Sequence, residues 1–181
     1  MESSDAKFPQ NPPLKTEKLV HLTQICLRIL AIGTALAATS VMATSKQTTV
    51  IFGTVFSARY SYSSAFKFFA FANAFASAFT LLSLFYVLLF GRPGSNPANY
   101  FILFIHDLFM ASLVLAGCAA ATAVGYIGRY GNNHIGWIAI CDQFGKFCNR
   151  VTGSVILSYV AFLFLLILTV ISASRSRKIQ V

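Results

Sequence analysis

Charge is what this sequence has least of. Charged residues make up 10% of its 181 positions, and only five of them are acids. A soluble domain carries nearer a quarter, so a water-facing globule is ruled out. Histidine is also scarce: His21, His106 and His134 fall in a tail end, an apolar stretch and a loop. No Ser, Cys or acid pair has a base beside it, and there is no Gly-rich phosphate loop and no cluster with metal-ligand spacing. The expectation is therefore a protein that is not an enzyme and that holds no cofactor and no metal. The net charge of +9 is divided between the two sides of the chain. It points to anionic headgroups or cell-wall anions rather than nucleic acid. No cleavage site follows the first apolar run, which reads as an uncleaved span, and the lack of Gly at position 2 argues against myristoylation.

What is present is apolar. Hydrophobic residues reach 56%, with mean hydropathy +0.69. Four stretches are long enough to cross a bilayer core of roughly 30 Å: 22–43, 66–90, 100–126 and 151–173. The expected fold class is an all-α membrane protein, a four-transmembrane-helix bundle with both termini cytosolic. Residues 1–21 read as a disordered cytosolic tail carrying three prolines, residues 22–173 as the membrane domain, and 174–181 as a basic cytosolic tail. The connection GRPGSNPAN is a turn cluster short enough to make segments two and three antiparallel neighbours.

Asp107 is the only acid in any long apolar segment. At mid-membrane an acid costs about 2.5–3.5 kcal/mol on insertion scales, so it needs a partner or a task. Arg28 is the only base well inside the first segment. Each lies about two turns from the start of its own segment, and segments one and three run the same way, so the two charges share a depth. That predicts a buried ion pair. The alternative leaves Arg28 snorkelling to the headgroups, with His106 or backbone satisfying Asp107.

Helix-packing candidates follow from small and polar residues at helical spacing. Gly117, Ala121 and Gly125 recur every fourth residue, a smooth stripe on which another helix can lie. In segment two, Phe71, Phe75 and Phe79 form a ridge beside the groove of Ala70, Ala74 and Ala78. Asn73 in the same segment is able to hydrogen-bond across helices. In the loop before segment four stand Cys141 and Cys148, with six residues between them. They read as a disulfide if that loop faces an oxidising compartment, the alternative being a metal site with His134. The Lys and Arg count is nearly tied between the two sides, seven against six; the C-terminal SRSRK cluster and the cysteine pair favour cytosolic termini.

Together these residues resemble a known family. The base in segment one, the acid in segment three, AFKFFAFANAFASAFTLL entering segment two and GWIAICDQFGKFCNRVTGSV approaching segment four are similar to the plant CASP-like family. That family relates to the Casparian strip membrane domain proteins and, more distantly, to MARVEL-type four-span proteins. The resemblance runs from Lys18 to Ser174, with Arg28 and Asp107 matching its paired membrane charges and Cys141 and Cys148 its second-loop cysteines. The first loop, TVFSARYSYSS, lacks the longer acidic and aromatic signature of the strip-forming members. The resemblance implies a plasma-membrane protein that forms homo- and hetero-oligomers with itself and its relatives, sits among membrane lipids, and scaffolds secreted wall-modifying enzymes. A competing reading from the residues is a proton or small-ion channel or transporter using Asp107, His106 and Arg28.

Overall fold

The computed structural model describes residues 14–51, 53–90, 97–132, 134 and 136–177. Four long helices carry the chain: α1 (Leu14–Ala43), α2 (Ser64–Phe90), α3 (Pro97–Tyr130) and α4 (Gly145–Arg177). Each contains a stretch long and apolar enough to cross a membrane. The all-α, four-span class expected from the hydropathy pattern is the architecture found.

Several helix ends lie beyond the expected spans, among them the end of α3 at Tyr130 and the start of α4 at Gly145. α1 begins at Leu14, inside the stretch read as an irregular tail. Leu, Lys and Glu in LKTEKLV are strong helix formers and follow directly on Pro13, so nothing after that proline opposes a helix. α4 likewise runs to Arg177, four residues into the expected C-terminal tail. α3 opens on Pro97, where the missing N–H is no loss. Residues 91–96 of the expected GRPGSNPAN turn, and with them Arg92, lie outside the described residues, as do 1–13 and 178–181.

The first loop is not irregular. It forms an antiparallel hairpin, β1 (Lys46–Ile51) with β2 (Thr54–Arg59), in which Lys46 faces Arg59 and Ile51 faces Thr54. Gly53 at φ +80° supplies the left-handed residue that such a turn requires. The hairpin leans on the start of α4: the Phe147 amide donates to Gln47 Oε1 at 2.8 Å.

The helices close a ring in chain order. α1 packs on α2 and α4, and α3 packs on the same two, so α1 and α3 face one another across the diagonal. The bundle is apolar on the outside, with Phe71, Leu82, Leu89, Ile102 and Phe109 among the exposed side chains. Inside lie Ala31, Ala35, Ala38, Phe69, Val114 and Leu165, mixed with Arg28, Asp107, Asn73 and Ser158. This arrangement suits a lipid surround, where the exterior meets hydrocarbon and polar groups must find partners within. The expected Phe ridge is on the outside of α2: Phe71–Phe75 and Phe75–Phe79 rings stand 5.7 and 4.2 Å apart.

Candidate functional site

Helical rise alone places Arg28 and Asp107 at one depth, and the ring of helices decides what reaches them. Arg28 crosses the diagonal from α1, its Nη1 and Nη2 donating to Asp107 Oδ1 at 2.9 Å and Oδ2 at 2.8 Å on α3. Both side chains are fully buried. Only a long, forked side chain spans a bundle diagonal and still meets a carboxylate with two parallel bonds. The other diagonal completes the layer. Ser83 on α2 accepts from Arg28 Nη1 at 2.6 Å, and Ser172 on α4 donates to Asp107 Oδ2 at 3.4 Å. His106 Nδ1 lies 3.2 Å from Asp107 Oδ1. One charge pair therefore ties all four helices at a single level.

A second polar layer lies deeper. Asn73 Nδ2 donates to its own helix at the Phe69 carbonyl, and its Oδ1 accepts from Ser158 on α4 at 2.7 Å. Ser158 in turn receives the Cys118 thiol of α3 at 3.0 Å. This layer links α2, α3 and α4. Cys118 is eleven residues beyond Asp107 along α3, about 16 Å of helical rise. The interval is closed by Ala31, Ala35, Ala76, Met110, Ala111, Val114, Leu165 and Leu168, all buried. Three hydroxyl residues also lie within it, Ser77, Thr80 and Thr169, and the hydroxyls of Ser77 and Thr169 are turned back onto carbonyls of their own helices. Nearer the hairpin, Ser154 Oγ donates to the Ala38 carbonyl at 2.7 Å and joins α4 to α1.

The small-residue stripe of α3 is shorter than its spacing suggests. A Cβ at Gly117 would stand 3.2 Å from Ala72 Cβ and 3.4 Å from Phe69 Cα, so α2 and α3 touch backbone to backbone there. Ala121 is fully buried. A Cβ at Gly125 would meet nothing within 4 Å. The seam is Gly117 and Ala121, and Gly125 instead borders a groove.

Cys141 and Cys148 are bonded to one another, with Cα atoms 5.7 Å apart. Their sulfurs are thus unavailable to a metal with His134, and among the described residues no three His, Cys, Asp or Glu side chains gather as a metal site. The loop folds back onto α3, with the amides of Ile140 and Cys141 both donating to the Gly128 carbonyl. Gly131 makes this return possible. It holds φ +68°, and a Cβ on it would stand 2.6 Å from the Trp137 carbonyl. In the folded protein both Cys141 and Cys148 are expected to resist thiol alkylation until a reductant is added. Labelling of either without reduction would contradict the bond.

Among the described residues, three buried nitrogens have no hydrogen-bond partner: His21 Nε2, Gln24 Nε2 and Arg28 Nε. At positions 21, 24 and 28 they share one stripe of α1. Ser83 and Ser172, which bond the charge pair, and the buried Gln24 are residues that sequence reasoning missed.

A four-helix bundle that is apolar outside, polar at two interior levels and tied by a charge pair across its diagonal defines a multi-pass membrane protein. Comparison with known proteins gives the family. The model of the Casparian strip membrane protein domain matches residues 17–164, and the chain belongs to that family. It is 56% identical over 181 residues to CASP-like protein 1F1 of Vitis vinifera, covering 100% of this chain and 88% of the relative. A CASP-like protein 1F1 of Ricinus communis is 55% identical over 181 residues, covering 100% of both chains. The CASP-like protein 1F1 of Arabidopsis thaliana is 39% identical over 154 residues, 85% of this chain and 89% of the relative. No solved structure matches the chain.

Proposed function

We propose that this chain is a non-enzymatic organiser of the plasma membrane, with both termini in the cytosol, that associates with itself and its relatives and recruits wall-modifying proteins. One observation carries this reading: the polar side chains that cross between helices do so at separate levels, with mostly apolar packing between the charge pair and the Asn73 layer. Such an interior serves shape. A permeation path needs polar groups that continue from face to face. The outside of α2, with Phe71 60% and Phe79 38% exposed, presents a ridge of stacked rings to whatever lies beside it in the bilayer. Family membership supports the same reading, since the relatives are CASP-like proteins.

Two differently tagged copies co-expressed in plant cells are expected to co-purify at the cell surface. A photobleached patch should recover more slowly than one of a monomeric four-span control. Separate purification and free recovery together would remove the organiser reading.

The stripe of α1 that carries the unpartnered atoms His21 Nε2, Gln24 Nε2 and Arg28 Nε favours a second reading, in which protons or small ions reach Asp107 from one side. Protein reconstituted in liposomes separates the two. The organiser reading predicts no flux above empty vesicles, and a flux abolished by Asp107→Asn would establish the other.

A further inference from the structure

A groove opens on the side of the bundle at the hairpin end, between α3 and α4 and beside the start of α2. Its walls are apolar: Phe66, Val124, Ile140, Phe147 and Val151, with the Cys141–Cys148 disulfide beside them. Glycines make the room. Gly125 and Gly128 stand on the α3 wall, and a Cβ at Gly125 would meet nothing within 4 Å, so the groove exists where a larger residue would have filled it.

Its depth is marked independently. Tyr126 and Tyr130, rings 4.8 Å apart and both about two-thirds exposed, flank Arg129 on α3. Tyrosine pairs of this kind gather where hydrocarbon gives way to headgroups. The groove therefore runs from headgroup level into the acyl region. Arg129 stands at its rim, and no acid partners it among the described residues. Lys146 and Arg150 lie in the first turns of α4, and Asp142 is the one acid between residues 127 and 152. An apolar trough with a cationic mouth is complementary to an amphiphile whose head is anionic.

We propose that this groove is a lipid site, which takes one acyl chain of an anionic glycerophospholipid with its phosphate on the Arg129 guanidinium. Arginine's planar fork suits phosphate oxygens in pairs, and the apolar walls take the chain. The disulfide holds one wall in place, so the site belongs to the oxidised protein. The proposal is independent of whether the chain acts as an organiser; with both termini cytosolic the groove opens to the outer leaflet, and the lipid it takes is an anionic one of that leaflet.

The full-length protein, reconstituted in nanodiscs of equal phosphatidylglycerol and phosphatidylcholine and then released into mild detergent, tests it by native mass spectrometry. One retained lipid per chain is expected, with phosphatidylglycerol enriched about fivefold, the factor that about 1 kcal/mol per basic residue near the surface gives. Arg129→Gln should keep one lipid and bring the ratio close to one. Gly125→Leu should fill the groove and lose the retained lipid, while intact mass still shows the disulfide and circular dichroism the helices. Equal retention by wild type and Gly125→Leu would overturn the site. An unchanged lipid ratio in Arg129→Gln, a variant of an exposed side chain, would overturn the assignment of an anionic head even if Gly125→Leu failed to fold.

Discussion

Asp107→Asn is expected to be the most damaging single change in the chain. It leaves the Arg28 guanidinium charged and fully buried, with Ser83 as its remaining partner of full strength. Breaking one side of a buried ion pair typically costs about 3–5 kcal/mol, because the survivor is desolvated without a counter-charge. Arg28→Gln should do comparable harm from the other side, leaving Asp107 with only the longer contacts from Ser172 and His106. Both variants should reach the cell surface at a small fraction of the wild-type level and unfold at lower denaturant in detergent. Ser172→Ala, which removes a 3.4 Å bond, should lose far less. Normal surface delivery of Asp107→Asn would show that the pair is not what holds the bundle.

Gly117→Leu is expected to come next. At this position even a methyl group would stand 3.2 Å from Ala72 Cβ and 3.4 Å from Phe69 Cα, and a backbone atom does not move aside as the end of a side chain does. Overpacking usually costs about 1–3 kcal/mol. Here the cost should lie at the upper end, since the leucine must part α2 from α3 and disturb Asn73 and Ser158 just beyond. Gly125→Leu, two turns further along the same stripe, should leave stability nearly unchanged. Denaturant midpoints of the two variants side by side would check the contrast, and equal losses would contradict it.

These two glycines show where the sequence is informative and where it stops. Their spacing marks a small-residue stripe, but spacing says nothing of where along the helix the neighbour diverges. Arg28 and Asp107 were readable because charge in an apolar segment is rare and rise per residue fixes depth. That they face each other across a diagonal was not, since alternation of spans gives direction without giving neighbours.

Ser83, Ser158 and Ser172 carried no signal at all. A hydroxyl in an apolar helix usually bonds the carbonyl a turn back, as Thr23, Thr34 and Ser112 do here. Ser83 does so too, donating to the Thr80 carbonyl while it accepts from Arg28, so nothing local marks the serines that meet another helix. The hairpin, by contrast, left a trace that went unread: KQTTVI and TVFSAR are rich in β-branched residues on either side of a glycine. Short strands of mixed polarity do not stand out in a hydropathy count beside long apolar spans.

The double variant Arg28→Gln with Asp107→Asn, set against both single variants in one unfolding cycle, addresses the central claim directly. If the pair is a structural tie, the double variant loses clearly less than the sum of the two, because no orphan charge remains. Strictly additive losses would mean that Arg28 and Asp107 act separately, and the account of a bundle locked across its diagonal would be wrong.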